Sequence, residues 1–251
     1  MLKEYLLRMA TYHIGMPRVV NGLPLRVASP TRARFTPEYD AGLSAFLRRH
    51  VAAGMEVWNV GANVGIHTLQ LASWVGPAGR VVAFEPNPAA ARLLGENLTL
   101  NGLRNRVEVI PAAVGARDGR IDLYVSGADG MARVDRPNPL LARPSAVTVD
   151  VMTLDSFVAG RDRVPEWIVM DIEGWEIPAL RGARTLWNRT RFAAELHPWA
   201  WPWSGESREA FEALLAEAGL TPIPMAGQTD ALSEHGQVVF ERAARSLTPE
   251  Q

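Results

Sequence analysis

Apolar residues in this chain concentrate in short, mostly apolar stretches at Glu56–Val60, Arg80–Phe84, Val107–Ile110, Trp167–Asp171 and Phe192–Leu196. Strands covered on both faces of a parallel sheet read this way, without alternation. Between the runs lie stretches with helical spacing. Pro88–Leu100 is one, capped by Asn87 and stopped by Asn101-Gly102. Glu176–Trp187 is a second, with Pro178 tolerated in its first turn, and Ser207–Ala218 a third, closed by Gly219. Strands alternating with helices predict a parallel α/β sheet. Two last runs, Leu220–Pro224 and Gln237–Glu241, fit an antiparallel edge.

The flanks are less regular. Residues 1–50 read as an N-terminal extension packed on a core domain of residues 51–245. It holds a helix near Met1–Thr11, a hairpin turning at Asn21-Gly22, and a helix Pro37–His50 with Thr36 as N-cap. Asp118-Gly119 signals another hairpin, with Ile121–Val125 as return strand. Residues 126–145, rich in Gly, Pro, Arg and Asp and without periodicity, have the length of a lid or acceptor loop.

The candidate chemistry starts at Asn59-Val60-Gly61-Ala62-Asn63-Val64-Gly65, where a strand passes through a glycine turn into a helix. The next strand ends on Glu85-Pro86. Nucleotide-binding folds place glycines where backbone approaches a ligand and an acid about 20 residues on for the ribose hydroxyls. Asn63 stands where a dinucleotide fingerprint needs its second glycine, and no P-loop lysine follows. A ligand with ribose but no tightly cradled phosphate is expected, which points to S-adenosylmethionine (SAM). The plain alternative is a glycine turn that only links strand to helix.

Composition narrows the field. There is no cysteine, so disulfides, thiolate metal sites and iron–sulfur clusters are excluded, and radical SAM chemistry with them. Lys3 is the only lysine, which removes Schiff-base chemistry from the core. The 26 basic and 27 acidic residues leave a net charge of −1, no footprint for nucleic acid. Charges interrupt the N-terminal apolar residues, and no run has the length of a membrane span; a cytoplasmic protein without a membrane partner is expected.

In open α/β sheets ligands sit beyond the carboxyl ends of the strands. There stand Gly61–Gly65, Glu85, Ala113, Asp171, Glu173, Glu195 and His197. Asn63 is read either as a left-handed turn residue or as a contact to the cofactor's methionine part, and His67 as facing the site or packing against a helix. For methyl transfer to a hydroxyl the needs are positioning and removal of a proton. In one reading Asp171 touches the cofactor and His197 or Glu173 is the general base. In another, Asp171, Glu195 and His197 hold Mg²⁺ or Mn²⁺, which lowers the hydroxyl pKa. In a third, Glu173 and Glu195 are structural. Trp199, Trp201 and Trp203 either stack on an acceptor or plug an edge or homodimer contact.

These motifs together resemble the FkbM-type SAM-dependent methyltransferases. The family's D-V-G-A-N-x-G matches Asn59–Gly65, with Asn59 in place of Asp, and its E-P pair matches Glu85-Pro86. Thr153-Leu154-Asp155-Ser156-Phe157 resembles its T-L-D-x-F. Ile168 to Glu176 resembles its K-I-D-V-E-G-x-E, with Met170 where Lys is frequent. The resemblance covers roughly residues 38–240. It implies a doubly wound class I fold with a mixed, mostly parallel seven-stranded sheet. It also implies cofactor contacts at Asn59, Gly61, Ala62, Asn63, Gly65, Glu85, Pro86, Ala113 and Asp171. The implied activity is O-methylation of a small molecule, glycan or natural product. Two other classes remain open, a SAM-binding module without turnover and a nicotinamide oxidoreductase. The latter lacks here its third glycine and a Tyr–Lys pair.

Overall fold

The computed structural model describes residues 11, 13–125, 133–134, 145–225 and 227–242. The expected helix at Met1–Thr11 and the loop 126–145 fall almost entirely outside them. The first strands described form a hairpin of β1 (Met16–Val20) and β2 (Leu23–Val27), turned by Asn21 and Gly22, both at positive φ. Helix α1 (Ala41–His50) follows, then β3 (Glu56–Val60), α2 (Ile66–Trp74), β4 (Arg80–Phe84), α3 (Pro88–Leu100) and β5 (Val107–Ile110). Next come β6 (Ala112–Val114), β7 (Gly119–Val125), β8 (Arg133–Val134), β9 (Ser145–Met152) and α4 (Leu154–Ala159). The rest is β10 (Trp167–Asp171), α5 (Glu176–Arg181), β11 (Arg191–Leu196), α6 (Arg208–Ala218), β12 (Leu220–Pro224) and β13 (Gly236–Arg242).

Seven strands form one mixed sheet in the order β12-β13-β11-β10-β3-β4-β5. All neighbours are parallel except β13, which runs against both β11 and β12. The expected doubly wound α/β architecture is therefore present, antiparallel edge included. Alternate residues of each strand serve opposite faces. Trp58, Val82, Ile168 and Phe192 pack with α5 and α6, while Val57, Val81, Val169 and Ala193 pack with α1, α2 and α3. Val20, Leu25 and Val27 of the hairpin join the second cluster. Buried Asn97 ties them there: it accepts from Ala28 N–H (2.7 Å) and donates to the carbonyl of Val64 (2.8 Å). The hairpin and α1 thus share the core of the sheet.

Local expectations fail where a distant partner intervenes. The helix expected from Pro37 starts only at Ala41, after Asp40 at φ 44. Asn21 holds the preceding segment extended, donating to the carbonyls of Pro37 (2.8 Å) and Tyr39 (2.6 Å) and accepting from Tyr39 N–H. The Asp118-Gly119 hairpin does not form. Strand β9 inserts between β6 and β7, parallel to one and antiparallel to the other. Asp118 instead accepts from Thr153 N–H (2.6 Å) and the Ser156 hydroxyl (2.9 Å). The helix expected to run to Trp187 ends at Arg181. Asp155 accepts the N–H groups of Arg184 (3.0 Å) and Thr185 (2.9 Å) and draws the chain into a 3-10 turn. Among the described residues no helix is long and apolar enough to cross a membrane.

Candidate active site

The strand order reverses between β3 and β10, and a cleft opens beyond their carboxyl ends, where such sheets bind ligands. Gly61, at φ 82, follows β3. A Cβ there would lie 1.9 Å from the carbonyl oxygen of Asp171, and one at Gly65 would lie 2.5 Å from Leu94. Both glycines are thus demanded by neighbouring chain, the tip of β10 and helix α3, rather than by the ligand approach expected of them. Asn63 takes the left-handed conformation (φ 49), and its N–H donates to Glu85 Oε2 at 2.6 Å.

Glu85 is buried at the tip of β4 and lines the cleft. Its Oε1 accepts from Asn87 N–H (2.8 Å), and Asn87 in turn caps α3. Burial pushes this carboxyl up to about 7, against the pull of the two amides and the charge of Arg34. Pro86, Ala112 and Ala113 form the adjoining wall. Asn59 is a correction. Expected to touch the cofactor, it lies fully inside β3, bonded to the Thr68 hydroxyl (2.7 Å) and the Val169 carbonyl (3.4 Å), and lines neither this cleft nor the pocket that adjoins it. As a Cα neighbour of Ala83 and Val169 in the middle of the sheet, its side chain has no route to the rim.

Asp171 stands at the junction of this cleft with a second pocket formed by Arg34, Tyr39, Ala62, Asn63, Ile66 and His67. Its Oδ1 is buried with no hydrogen-bond partner. Burial raises its pKa well above the carboxylate range, Glu195 adds to this, and His197 opposes it. His67 is bonded to Asp40 (2.9 Å) and meets the Tyr39 ring edge-on. It lines the second pocket and is held by α1's capping residue.

The rim beyond Asp171 is organised by Glu176, a residue that sequence reading took only as a helix start. Glu176 is 1% exposed. Its Oε1 accepts from the Gly174 N–H (2.8 Å) and from Nδ1 of His197 (2.9 Å), and its Oε2 accepts from the Trp201 indole (2.9 Å). The imidazole is therefore fixed with Nε2 turned toward Asp171 Oδ1 (3.9 Å) and Glu173 Oε2 (3.8 Å). Burial works against a charged ring, but the Glu176 bond and the charges of Glu176, Asp171 and Glu173 prevail and raise His197 to about 9.

The expected metal trio of Asp171, Glu195 and His197 is divided. Strands β10 and β11 are neighbours with Asp171 opposite Glu195, as expected. Yet Glu195 pairs with His235 (3.1 Å), which the antiparallel β13 brings alongside. Among the described residues the groups that converge are Asp171–Glu173–His197 and Glu195–His197–His235. The tryptophans divide too: Trp201 plugs the core against Phe211, whereas Trp199 is 42% exposed and meets Trp203 edge-on.

Residues 59–219, from the end of β3 to the cap of α6, match the methyltransferase FkbM domain. The chain belongs to the FkbM methyltransferase family. It is 28% identical over 131 residues to the 2-O-methyltransferase NoeI of Sinorhizobium fredii, a match covering 46% of this chain and 52% of that protein. The chain thus spans about half the length of this curated relative. Among solved structures, a putative rRNA methylase of Clostridium thermocellum aligns over 80% of this chain and 94% of its own, at 16% identity and a TM-score of 0.50. At that identity the likeness concerns the fold alone. The methyltransferase FkbM of Methylobacillus flagellatus aligns over 74% of this chain and 43% of its own, at 19% identity and a TM-score of 0.48.

Within the FkbM domain lie Glu85, Asp171, Glu173, Glu176, Glu195 and His197. Arg34, Tyr39, Asp40 and His235 lie outside it and were missed. No spacing links them to the motifs; only the carboxylate at the end of the E-G-x-E stretch offered a signal, for Glu176.

Proposed function

We propose that the chain is a SAM-dependent O-methyltransferase that takes a hydroxyl of a small molecule or glycan as acceptor. The observation that carries this reading is the pairing of a buried carboxylate at the nucleoside cleft, Glu85, with an oriented imidazole at the adjoining rim, His197. The likeness to a 2-O-methyltransferase supports the hydroxyl acceptor. The donor set fits the cofactor: Glu85 for ribose hydroxyls, Ala112 and Ala113 as an apolar wall, and an orphaned acceptor on Asp171 for a donor group. When bound, SAM supplies a methyl group on a sulfonium. The protein's part is to hold the acceptor at the rim and to accept its proton on Nε2 of His197. Glu176 keeps that nitrogen facing the cleft and exposed Trp199 offers a ring for a sugar face. The test is calorimetric binding of S-adenosylhomocysteine followed by transfer of labelled methyl to hydroxyl-bearing glycans. Absence of nucleoside binding overturns the reading, and binding without turnover on any acceptor reduces it to a binding module.

A second reading is favoured by one observation: Nε2 of His197 faces two carboxylates while Nδ1 is backed by Glu176, the arrangement common behind metal-bound histidines. It would place Mg²⁺ or Mn²⁺ on Asp171, Glu173 and His197. The two readings part on a simple assay. Under acid–base chemistry we expect full activity in excess chelator. Loss of turnover that Mn²⁺ restores would transfer the site to the metal.

A further inference from the structure

Strands β11 and β13 pair antiparallel, with Glu195 opposite Gln237 and Leu196 opposite Gly236. One further step of that register sets His197 opposite His235. Residues two apart on a strand share a face, so Glu195, His197 and His235 meet on one side of the sheet's end. Glu195 pairs with His235 at 3.1 Å and the two imidazole rings lie 4.8 Å apart. One donor atom from each of the three residues falls within 4.8 Å of the others. Neither nucleoside binding nor proton removal makes use of Glu195 or His235.

His197 is the fixed member of this group. It is 4% exposed, and its Nδ1 is tied to Glu176. Among the described residues its Nε2 has no hydrogen bond; Asp171 and Glu173 stand off at 3.9 and 3.8 Å. A carboxylate behind a histidine orients the ring and raises its basicity toward a metal. His235 is the adjustable member, 51% exposed on the loop between β12 and β13. A small inward shift of that ring brings the three donors to the spacing that zinc bonds of about 2 Å require.

We propose that Glu195, His197 and His235 bind zinc, and that the ion silences methyl transfer by occupying Nε2 of His197. Two imidazoles and one carboxylate suit zinc better than Mg²⁺, and three protein ligands with an open fourth position are an arrangement zinc commonly takes. The site differs from the Asp171–Glu173–His197 grouping in its ligands, its preferred ion and its effect. Both draw on the same Nε2, so only one can be filled at a time. A lone pair given to zinc accepts no proton from an acceptor hydroxyl. The silencing rests on the base reading of His197 above, whereas the site itself stands on geometry.

The test titrates zinc chloride calorimetrically into the metal-free protein, with Co²⁺ in its place for visible spectroscopy. Wild type should take up one zinc and show the Co²⁺ bands of a nitrogen-ligated site of low coordination number. In Glu176→Gln, which keeps the ligands but weakens the partner behind His197, affinity should fall about 10- to 100-fold, and in His235→Ala by at least about 100-fold. Because His235 is exposed, its removal leaves the core intact, and without metal the His235→Ala variant should turn over as wild type does. Added zinc should stop wild type, spare the variant, and be reversed by chelator. No uptake by wild type, or equal uptake by His235→Ala, overturns the proposal. Zinc that binds through His235 yet leaves turnover unchanged or raises it overturns the silencing, and the base assignment of His197 with it. Binding of S-adenosylhomocysteine, measured separately, tests the cofactor reading independently of these results.

Discussion

Replacing His197 by glutamine is expected to lower kcat by about 10²–10⁴, the range a positioned general base contributes, with S-adenosylhomocysteine affinity within about twofold of wild type. Glutamine keeps an N–H for Glu176 but accepts no proton, so the buried carboxylate retains a partner and the fold is preserved. The pH dependence gives a sharper readout. Only the neutral ring accepts a proton, and His197 is raised to about 9, so kcat/KM should climb about tenfold per pH unit up to that value and then level off. Glu176 acts through His197 as a positioning residue. In Glu176→Gln the bond and the charge that raise the ring are weakened while burial remains, so the limb should move to lower pH as the plateau drops. A merely structural role for Glu176 would lower the plateau without moving the limb. The raised pKa also stabilises the folded state, fully below about pH 6.5, with the contribution lost as pH rises through about 9. An unmoved limb in Glu176→Gln, or undiminished kcat in His197→Gln, would sink the base assignment.

Glu85→Gln is expected to weaken S-adenosylhomocysteine binding by about 30- to 100-fold, roughly 2–3 kcal/mol for lost hydrogen bonds to the ribose and an unsatisfied backbone donor. Both carboxylate oxygens already accept amides, from Asn63 and Asn87, and so hold the glycine turn against the start of α3. An amide side chain satisfies one of these and turns N–H toward the other, so thermal stability should fall as well. A carboxylate accepts from ribose hydroxyls better than a carboxyl does, and Glu85 titrates near about 7 in the free protein. Binding should therefore weaken as pH drops below about 7 and release protons near neutrality. Calorimetry in buffers of different ionisation enthalpy measures that release. Affinity indifferent both to the substitution and to pH would remove Glu85 from the site.

Much of the sheet was legible because its strands are hydrophobic on both faces and their neighbours carry caps and stops. Asn87 caps α3 and Ser207 caps α6 where expected. Less legible was any element whose conformation depends on a partner far along the chain. Strand β9 fills the place a local turn signal assigned to β7, and Asn21 delays α1 by four residues through bonds across 16–18 positions.

By itself the sequence determined the alternation of strand and helix, the acid at the tip of β4 and the acids at the tip of β10. Each depends on residues within one unit of strand, turn and helix. Tertiary structure alone decided what the polar groups do. It sealed Asn59 inside the sheet, assigned Glu195 to His235, backed His197 with Glu176 and brought Arg34 and Tyr39 to the pocket beside Asp171. The physical reason is range: periodicity and capping act over a few residues, while a hydrogen-bond partner or a local dielectric depends on chain segments that only folding brings together.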